Sequence, residues 1–383
     1  MSKPFSRNDQ LRLAFRFCRA PVQILAYVLR GITLASVRRL PLRPYILCAV
    51  AKTLQDVFDA HDIQYLCNPT KQVYETWIKE KLFLAKDGGH QGVNERLKCD
   101  IEPLTDGHSS ILWLGDRTTA KKIVLFFHGG GYTTPLLNGY MEWMWRAHIM
   151  AGIDAEIDVA VAILEYSLSP GAQYPTQLCQ AAAALEHLLR CGISPENIII
   201  GGDSAGGNLT GQLLCHIVQP HPEAIPVKLA KPLAGVFLVS PWLTKRTNHT
   251  SFAENGSIDM LSASLVNLVL QDLLGLDWAK QAKDSFSHAF PLDMSEPWIE
   301  SLNTITKNMY LSVGYHEVFR DQCVSFVEEV RERNPNLELY FDLQEQMAHD
   351  FILLEGEDKR DGECIKAMKK WMKGVLLAGA EAN

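Results

Sequence analysis

The stretch NIIIGGDSAGGN at residues 197–208 decides the fold prediction. Its first four residues, Asn197 and three isoleucines, are predicted to form a strand, because the apolar run is typical of a strand buried on both faces. Residues 208–218 then show the apolar spacing of a helix, so Ser204 lies on a tight turn from strand to helix. Small neighbours permit such a turn, which presents the hydroxyl as a nucleophile. GxSxG alone is weak evidence, because chance produces it in roughly one such chain in ten.

A second glycine-rich turn, HGGG at residues 128–131, ends another apolar run. Consecutive glycines let several backbone N–H groups point at one place, which is what a developing oxyanion requires. We predict Gly130 and Gly131 as donors, with Gly129 as a further candidate and the N–H of Ala205 as their partner. A phosphate-binding loop would instead need Lys and Ser/Thr at Walker spacing, which this stretch lacks.

A histidine and a carboxylate follow the last two predicted strands. His349 comes after the apolar run at 337–343, and Glu317 comes directly after the run at 309–313. The chain order nucleophile, acid, histidine is that of an α/β catalytic triad. We favour Glu317 as the acid that orients the imidazole, because it lies in the first residues of its loop. Asp321, four residues further on, is the alternative.

Apolar runs and helical patterns alternate from residue 95 to the end of the chain. Such alternation predicts an α/β fold with a mostly parallel sheet covered by helices on both faces. Ligands bind beyond the carboxyl ends of the strands in sheets of this kind, which is where the polar motifs fall. The predicted strands are 123–127, 159–164, 197–200, 235–239, 309–313 and 337–343, and the predicted helices include 175–189, 208–218 and 360–377.

Two regions do not follow this alternation, and both are predicted to be helical. We divide the chain into an N-terminal helical segment, 1–94, and a catalytic domain, 95–383, with a cap insertion at about 245–300. Both irregular regions are candidates for a cap over the site.

Basic residues are concentrated at the start of the chain. Residues 1–52 contain ten Lys and Arg against the single acid Asp9, whereas the remainder contains 27 basic and 43 acidic residues. The acidic remainder argues against nucleic acid as a partner. Apolar residues interleaved with arginines between 15 and 32 suit a helix lying on an anionic membrane surface. A helical flap on the protein's own core is the alternative.

The sequence predicts an intracellular protein, either cytoplasmic or peripheral on a membrane surface. The apolar stretch at 21–36 contains Arg30 and falls short of the roughly 20 residues that a spanning helix needs. It is preceded by too many charges for an ordinary signal peptide. Nine irregularly spaced cysteines without a CxxC pair favour free thiols. Formation of a homodimer is left open.

HGGG at 128–131 together with GDSAGGN at 202–208 resembles the hormone-sensitive-lipase-like branch of the α/β hydrolases (alpha/beta hydrolase fold-3). The likeness is strongest to its fungal esterase and steryl acetyl hydrolase members. With Pro241-Trp242 and the His-x-Phe at 349–351, it covers about residues 95–378. It implies an eight-stranded, mostly parallel sheet with a helical cap, and ester cleavage without metal or cofactor.

The resemblance also implies roles for individual residues. Ser204, Glu317 and His349 would form the triad, and the glycine loop with Ala205 would form the oxyanion hole. Two departures are visible: the acid is Glu where most members have Asp, and YSLSPG at 166–171 lacks the Arg and Glu of the usual YRLAPE. Neither departure removes a catalytic group.

The expected function is therefore that of a serine carboxylic ester hydrolase acting on a small apolar acyl ester. Acyl transfer or lactone-forming cyclisation on the same triad is the nearest alternative, and a ligand-binding receptor without catalysis is a third. Five residues are candidates for lining a substrate pocket, although a core role is the favoured interpretation of the tryptophans among them. They are Tyr132, Trp143, Trp145, Asp203 and Trp242.

Overall fold

A single eight-stranded sheet organises the protein in this computed structural model, which describes residues 5–88, 96–277, 288–294 and 298–378. The strands are β1 Ile101–Pro103, β2 Ser110–Leu114, β3 Lys122–Phe127, β4 Val159–Glu165, β5 Ile198–Asp203, β6 Gly235–Val239, β7 Asn308–Gly314 and β8 Glu338–Gln344. Their order across the sheet is β1-β2-β4-β3-β5-β6-β7-β8. β2 is antiparallel to β1 and β4, and all other neighbours are parallel. The predicted α/β class and mostly parallel, eight-stranded sheet are confirmed.

The six strands predicted from apolar runs are present with small shifts of their ends. The largest shift concerns β5, which continues through two glycines to Asp203 and so brings Ser204 to the very end of the strand. β1 and β2 were expected only from the family resemblance. β1 has three residues and is partly exposed, so it produces no apolar run that a sequence pattern could reveal.

Helices cover both faces of the sheet. They are α1 Arg7–Val37, α2 Leu42–Val57, α3 Ala60–Leu66, α4 Thr70–Gly88, α5 Asn138–Met144, α6 Met150–Asp154, α7 Thr176–Arg190, α8 Ser204–Val218, α9 Thr250–Asn255, α10 Ala263–Leu274, α11 Leu302–Ile305, α12 Arg320–Arg333, α13 Phe351–Glu357 and α14 Glu363–Ala378. A π turn, Trp145–Ile149, joins α5 to α6, and short 3₁₀ turns lie at Pro195–Asn197, Pro291–Asp293 and Trp298–Ser301.

The sheet is covered by two hydrophobic clusters, one on each face, and a third, small cluster lies among the N-terminal helices. Leu178 of α7, Leu213 of α8 and Phe326 of α12 are buried in the first cluster. Met141 of α5 and Met368 of α14 are buried in the second. Burial on both faces explains why the parallel strands have continuous apolar sequences.

Among the residues that the structure describes, the N-terminal segment and the predicted insertion contain helices, turns and irregular chain but no strand. Helices α1 to α4 precede the sheet, and the predicted boundary after residue 94 lies outside the described residues. The insertion predicted at 245–300 contains α9 and α10, and its residues 278–287 and 295–297 are likewise outside the description.

The N-terminal helices are hydrogen-bonded to the rest of the chain through α2. The Tyr45 hydroxyl of α2 donates to the carbonyl of Gln346, at 3.0 Å, in the loop after β8. Lys52 Nζ, also on α2, donates to the carbonyl of Leu261, at 2.8 Å, just before α10. These bonds attach α2 to the carboxyl-end side of the sheet, where the predicted catalytic loops lie.

Candidate active site

Ser204 occupies a strained corner between β5 and α8. Its backbone φ is +49°, in the left-handed region that residues other than glycine rarely adopt. A Cβ at either Gly202 or Gly206 would collide with the carbonyl oxygen of Phe127 on β3. Glycine at both positions therefore allows the close approach of strand and helix that exposes the serine hydroxyl to the carboxyl end of the sheet.

The structure brings His349 to this hydroxyl. Its Nε2 lies 2.9 Å from Ser204 Oγ, and its Nδ1 lies 3.5 Å from Glu317 Oε1. Glu317 is fully buried, and its other oxygen accepts hydrogen bonds from Ser240 Oγ at 2.7 Å and from the Gly314 amide at 2.9 Å. These two donors hold the carboxylate beside the imidazole, and the three predicted triad residues lie in one hydrogen-bonded line.

Asp321, the alternative acid, is engaged elsewhere. Its carboxylate accepts a hydrogen bond from the Ser251 amide at 2.8 Å and forms an ion pair with Arg320 at 2.9 Å. It lies in the first turn of α12, past the loop that carries Glu317. The geometry therefore selects Glu317 as the partner of His349.

The glycine loop faces the same corner, with one change from the predicted set of donors. Gly130 and Gly131 have φ values of +89° and +61°, in a region that favours glycine, and neither amide donates a hydrogen bond within the described chain. The Gly129 amide, in contrast, donates to Asp203 Oδ1 at 3.0 Å. Gly129 was the further candidate for the oxyanion hole; its N–H is already used, so the prediction is corrected to Gly130, Gly131 and Ala205.

Asp203 connects the glycine loop to the nucleophile turn. Its carboxylate accepts hydrogen bonds from the Gly129 amide and, at 3.0 Å, from the Tyr140 hydroxyl. The side chain is fully buried. Burial, together with the nearby carboxylate of Asp350, raises the pKa of Asp203 well above its ordinary value. Asp203 is therefore a support of the site and not a residue lining an open pocket.

Trp143 and Trp145 are core residues, so the pocket prediction is wrong for both. Trp143 is fully buried and packs edge-on against Phe126 of β3, with ring centroids 5.3 Å apart. Trp145 packs against Trp77 of α4 at 6.0 Å. Their position after an oxyanion strand suggested a pocket, but the helix that carries them turns these rings toward the sheet and toward α4.

Tyr132 and Trp242 lie next to the site but are held in its walls. The Tyr132 hydroxyl donates to Asn208 Oδ1 of α8 at 2.5 Å. The Trp242 amide donates to the Ser204 carbonyl at 3.1 Å, while its ring packs on Phe290 with centroids 4.9 Å apart. Both residues fix the position of α8 and of Ser204.

Asp350 is a residue of the site that the sequence did not single out. It adopts a left-handed backbone, with φ at +51°, and its Oδ2 lies 3.1 Å from His349 Nε2, the same atom that faces Ser204. Asp350 is 4% exposed, and its Oδ1 has no hydrogen-bond partner in the described structure. The imidazole therefore has a carboxylate on each side, Glu317 at Nδ1 and Asp350 at Nε2.

The carboxylates set the charge state of His349. Burial by itself lowers the pKa of the imidazole, but Asp350 and then Glu317 outweigh burial and raise that pKa well above 6.5. Asp203 and Asp259 also face this region. A base must be neutral to accept a proton, so activity should be lost as pH falls through the raised pKa.

Asp350→Asn is expected to extend activity to lower pH. Removing the charge beside Nε2 lowers the pKa of His349, so more of the base is neutral in mildly acidic solution. Asn accommodates a left-handed backbone, which limits disturbance of the loop. The measurement is kcat/KM for a p-nitrophenyl ester against pH. Asp358→Asn, which removes a carboxylate paired with Arg43, should leave the profile unchanged; an acidic limb shared by Asp350→Asn and wild type would contradict the assignment.

Asp259 is a second residue that the sequence did not reveal. Its carboxylate accepts hydrogen bonds from the Val318 amide at 2.7 Å and from the His349 amide at 3.3 Å. Asp259 thus connects the loop that carries Glu317 to the loop that carries His349. Burial raises the pKa of Asp259 to about 6. The residue lies in the irregular chain between α9 and α10, where no periodic pattern or motif marks it.

The family model described as alpha/beta hydrolase fold matches residues 124–353, which is more than half of the chain. An esterase of Acinetobacter venetianus is 24% identical over 241 residues, covering 61% of this chain and 69% of that protein. Steryl acetyl hydrolase 1 of Saccharomyces cerevisiae is 27% identical over 143 residues, covering 36% of this chain and 29% of that protein.

Solved structures of esterases share the fold. A Rhizomucor miehei esterase superposes with a TM-score of 0.60 at 17% identity, covering 87% of this chain and 98% of that chain. An esterase described as belonging to the bacterial hormone-sensitive lipase family superposes with a TM-score of 0.58 at 18% identity, covering 81% and 100%. The chain thus belongs to the alpha/beta hydrolase fold family, and its predicted likeness to the hormone-sensitive-lipase-like branch is confirmed.

Proposed function

We propose that this protein cleaves apolar carboxylic esters through an acyl-enzyme on Ser204, with His349 as base and Glu317 as the orienting acid. Its class, carboxylic ester hydrolase, is that of its relatives, which are named esterase, carboxylesterase and lipase. The observation that carries the finer proposal is the 2.9 Å contact between Ser204 Oγ and His349 Nε2. The glycine loop faces this contact, and its Gly130 and Gly131 amides donate no hydrogen bond to any residue that the structure describes.

In the first half of the proposed reaction, Ser204 Oγ bonds to the ester carbonyl carbon while its proton passes to His349 Nε2. The carbonyl oxygen becomes an oxyanion, which accepts hydrogen bonds from the backbone amides of Gly130, Gly131 and Ala205. The bond to the alcohol oxygen then breaks, and the imidazolium returns its proton to that oxygen. Glu317 stabilises the imidazolium through Nδ1.

In the second half, water attacks the acyl-enzyme and gives its proton to His349. The same amides hold the second oxyanion, and the bond between the acyl carbon and Ser204 Oγ breaks. The free acid leaves, and Oγ recovers its proton from the imidazolium.

An apolar substrate is supported by the surroundings of the glycine loop. A Cβ at Gly131 would meet the methyl carbons of Val269, at 3.2 and 3.3 Å, so the apolar helix α10 lies against the loop. The ring of Phe319 packs edge-on against His349, with centroids 5.3 Å apart. Ser204 is 8% exposed and His349 2% exposed, so both reacting side chains lie in largely buried surroundings.

The low exposure of the triad also favours a second candidate, acyl transfer to an alcohol or to a hydroxyl of the acyl chain itself. A site that excludes water gives another hydroxyl the advantage in capturing the acyl-enzyme. Oxygen-18 water separates the two outcomes. We expect the released acid to carry one solvent oxygen, and an ester or lactone free of the isotope would establish transfer instead.

A further inference from the structure

The outward face of α1 carries a continuous apolar stripe. Its members are spaced alternately by four and three residues, which places them along one line of the helix. Five of them are 57 to 72% exposed, and the sixth is an exposed cysteine. An exposed apolar surface of this length marks an interaction site in a folded protein. The stripe consists of Leu11, Phe15, Cys18, Val22, Leu25 and Leu29.

The opposite face of α1 is fixed to the protein. Arg16 pairs with Asp59 of the α3 cap at 2.9 Å, and Tyr27 donates to Asp56 of α2 at 2.9 Å. A Cβ on Gly31 would lie 3.3 Å from the Cβ of Ala49, so α1 and α2 approach each other closely. The stripe is therefore presented in a defined direction by a helix that is anchored along its length.

Charges beside the stripe are positive. Arg19 stacks over Phe15, with its guanidinium carbon 5.8 Å from the ring centroid. Neither Arg19 nor Arg30 forms an ion pair with any residue that the structure describes, and both are exposed. The single acid of this region, Asp9, is bonded to Ser6. The surface thus combines an apolar line with uncompensated cations.

A second copy of α1 would be a poor partner for this stripe. In a paired helix, the positions that flank an apolar line carry opposite charges that bridge the two helices. Here one flank carries Arg12 and Arg19, and the other carries Ala14, Pro21 and Val28. Arg12 is already paired with Asp9, Asp59 and Asp62. Neither flank of α1 carries an acid that could meet Arg19 of a second copy, whereas lipid phosphates supply negative charge.

We propose that the stripe of α1 binds the surface of an anionic lipid bilayer, with the helix lying parallel to the membrane plane. The apolar side chains enter the boundary between headgroups and acyl chains, and Arg19 and Arg30 contact phosphates. The 31-residue helix is long and apolar enough to cross a membrane, with a mean hydropathy of 1.4 in its most apolar window. Its attachment to α2 and α3 favours the parallel orientation.

Binding of the full chain to sedimented vesicles tests this proposal. We expect strong binding to phosphatidylcholine vesicles containing phosphatidylserine, weaker binding to phosphatidylcholine alone, and weakening by salt. Replacing Val22, Leu25 and Leu29 together by Ser should weaken binding about tenfold or more. A matched triple serine variant of exposed residues on the sheet domain should bind like wild type. It replaces Val218, Ile225 and Leu377, which are 37, 43 and 50% exposed.

Separate measurements distinguish the remaining outcomes. Arg19→Gln with Arg30→Gln should abolish the preference for phosphatidylserine, and unchanged thermal midpoints would show that all variants are folded. Failure of wild type to bind either vesicle, or equal binding by the stripe variant, would overturn the proposal. A wild-type dimer that the stripe variant converts to a monomer would assign the stripe to a second copy. Retention of the membrane-bound protein through alkaline carbonate washing would overturn the parallel orientation.

Discussion

Ser204→Ala should reduce kcat/KM for a p-nitrophenyl ester by about 10⁴-fold or more, because it removes the atom that forms the acyl-enzyme. The variant should remain folded. The side chain is 8% exposed, and the hydroxyl makes one described hydrogen bond, to His349. Alanine also keeps the small volume that the turn between β5 and α8 tolerates. The residual rate would come from the oxyanion amides and from substrate binding alone.

The control for this variant is its thermal unfolding, which should resemble that of wild type. Ser240→Ala provides a second comparison: it removes a hydroxyl bonded to Glu317 at 2.7 Å without removing the nucleophile. It should retain far more activity than Ser204→Ala. A folded Ser204→Ala variant with wild-type kcat would rule out an acyl-enzyme at this residue.

Glu317→Gln should lower kcat by roughly 10³- to 10⁴-fold with a smaller change in KM. A neutral amide at this place cannot stabilise the imidazolium, and its NH₂ group can force the wrong tautomer of His349. The Ser240 hydroxyl and the Gly314 amide can still donate to the remaining amide oxygen. The loop should therefore keep its shape while its chemistry is lost.

Asp321→Asn is the matched control, since it removes a carboxylate four residues further along the same segment. Its partners are the Ser251 amide and Arg320, not His349. We expect a modest loss of stability and nearly unchanged kcat. A large loss of kcat in Asp321→Asn with little loss in Glu317→Gln would reverse the assignment of the acid.

The nucleophile, the base and the acid could be predicted from the sequence because each follows a strand that an apolar run reveals. Parallel strands end on the same side of a sheet, so Ser204, Glu317 and His349 had to converge there. The two glycine turns are recognisable as motifs, and the structure gives Gly130 and Gly131 positive φ values, which favour glycine. Local sequence thus determines the centre of the site.

Other parts of the site depend on contacts between distant segments, which no local pattern encodes. Asp259 lies 90 residues from His349 in the chain, and yet its carboxylate accepts a hydrogen bond from the His349 amide. The use of the Gly129 amide by Asp203 follows from the register of β3 beside β5, not from the HGGG motif. Asp350 belongs to no motif, and it is its left-handed backbone that accompanies the approach of its carboxylate to His349 Nε2.

The burial of aromatic side chains was similarly hidden from sequence inspection. Trp143 follows the oxyanion loop closely in the chain, but position along α5 decides which way a ring points. The helix directs it into the cluster beneath the sheet, beside Phe126 and Phe237. Packing against β3 and α13 sets which face of α5 is buried, and this face decides between a core role and a pocket role.

The central claim is that Ser204 is activated by His349 at the end of β5. The most direct measurement is mass spectrometry of the intact and digested protein after reaction with a fluorophosphonate. We predict one adduct on wild type, located on the peptide that contains Ser204, and no adduct on the folded His349→Ala variant within the same time. An adduct at another residue, or none on active wild-type protein, would contradict the account.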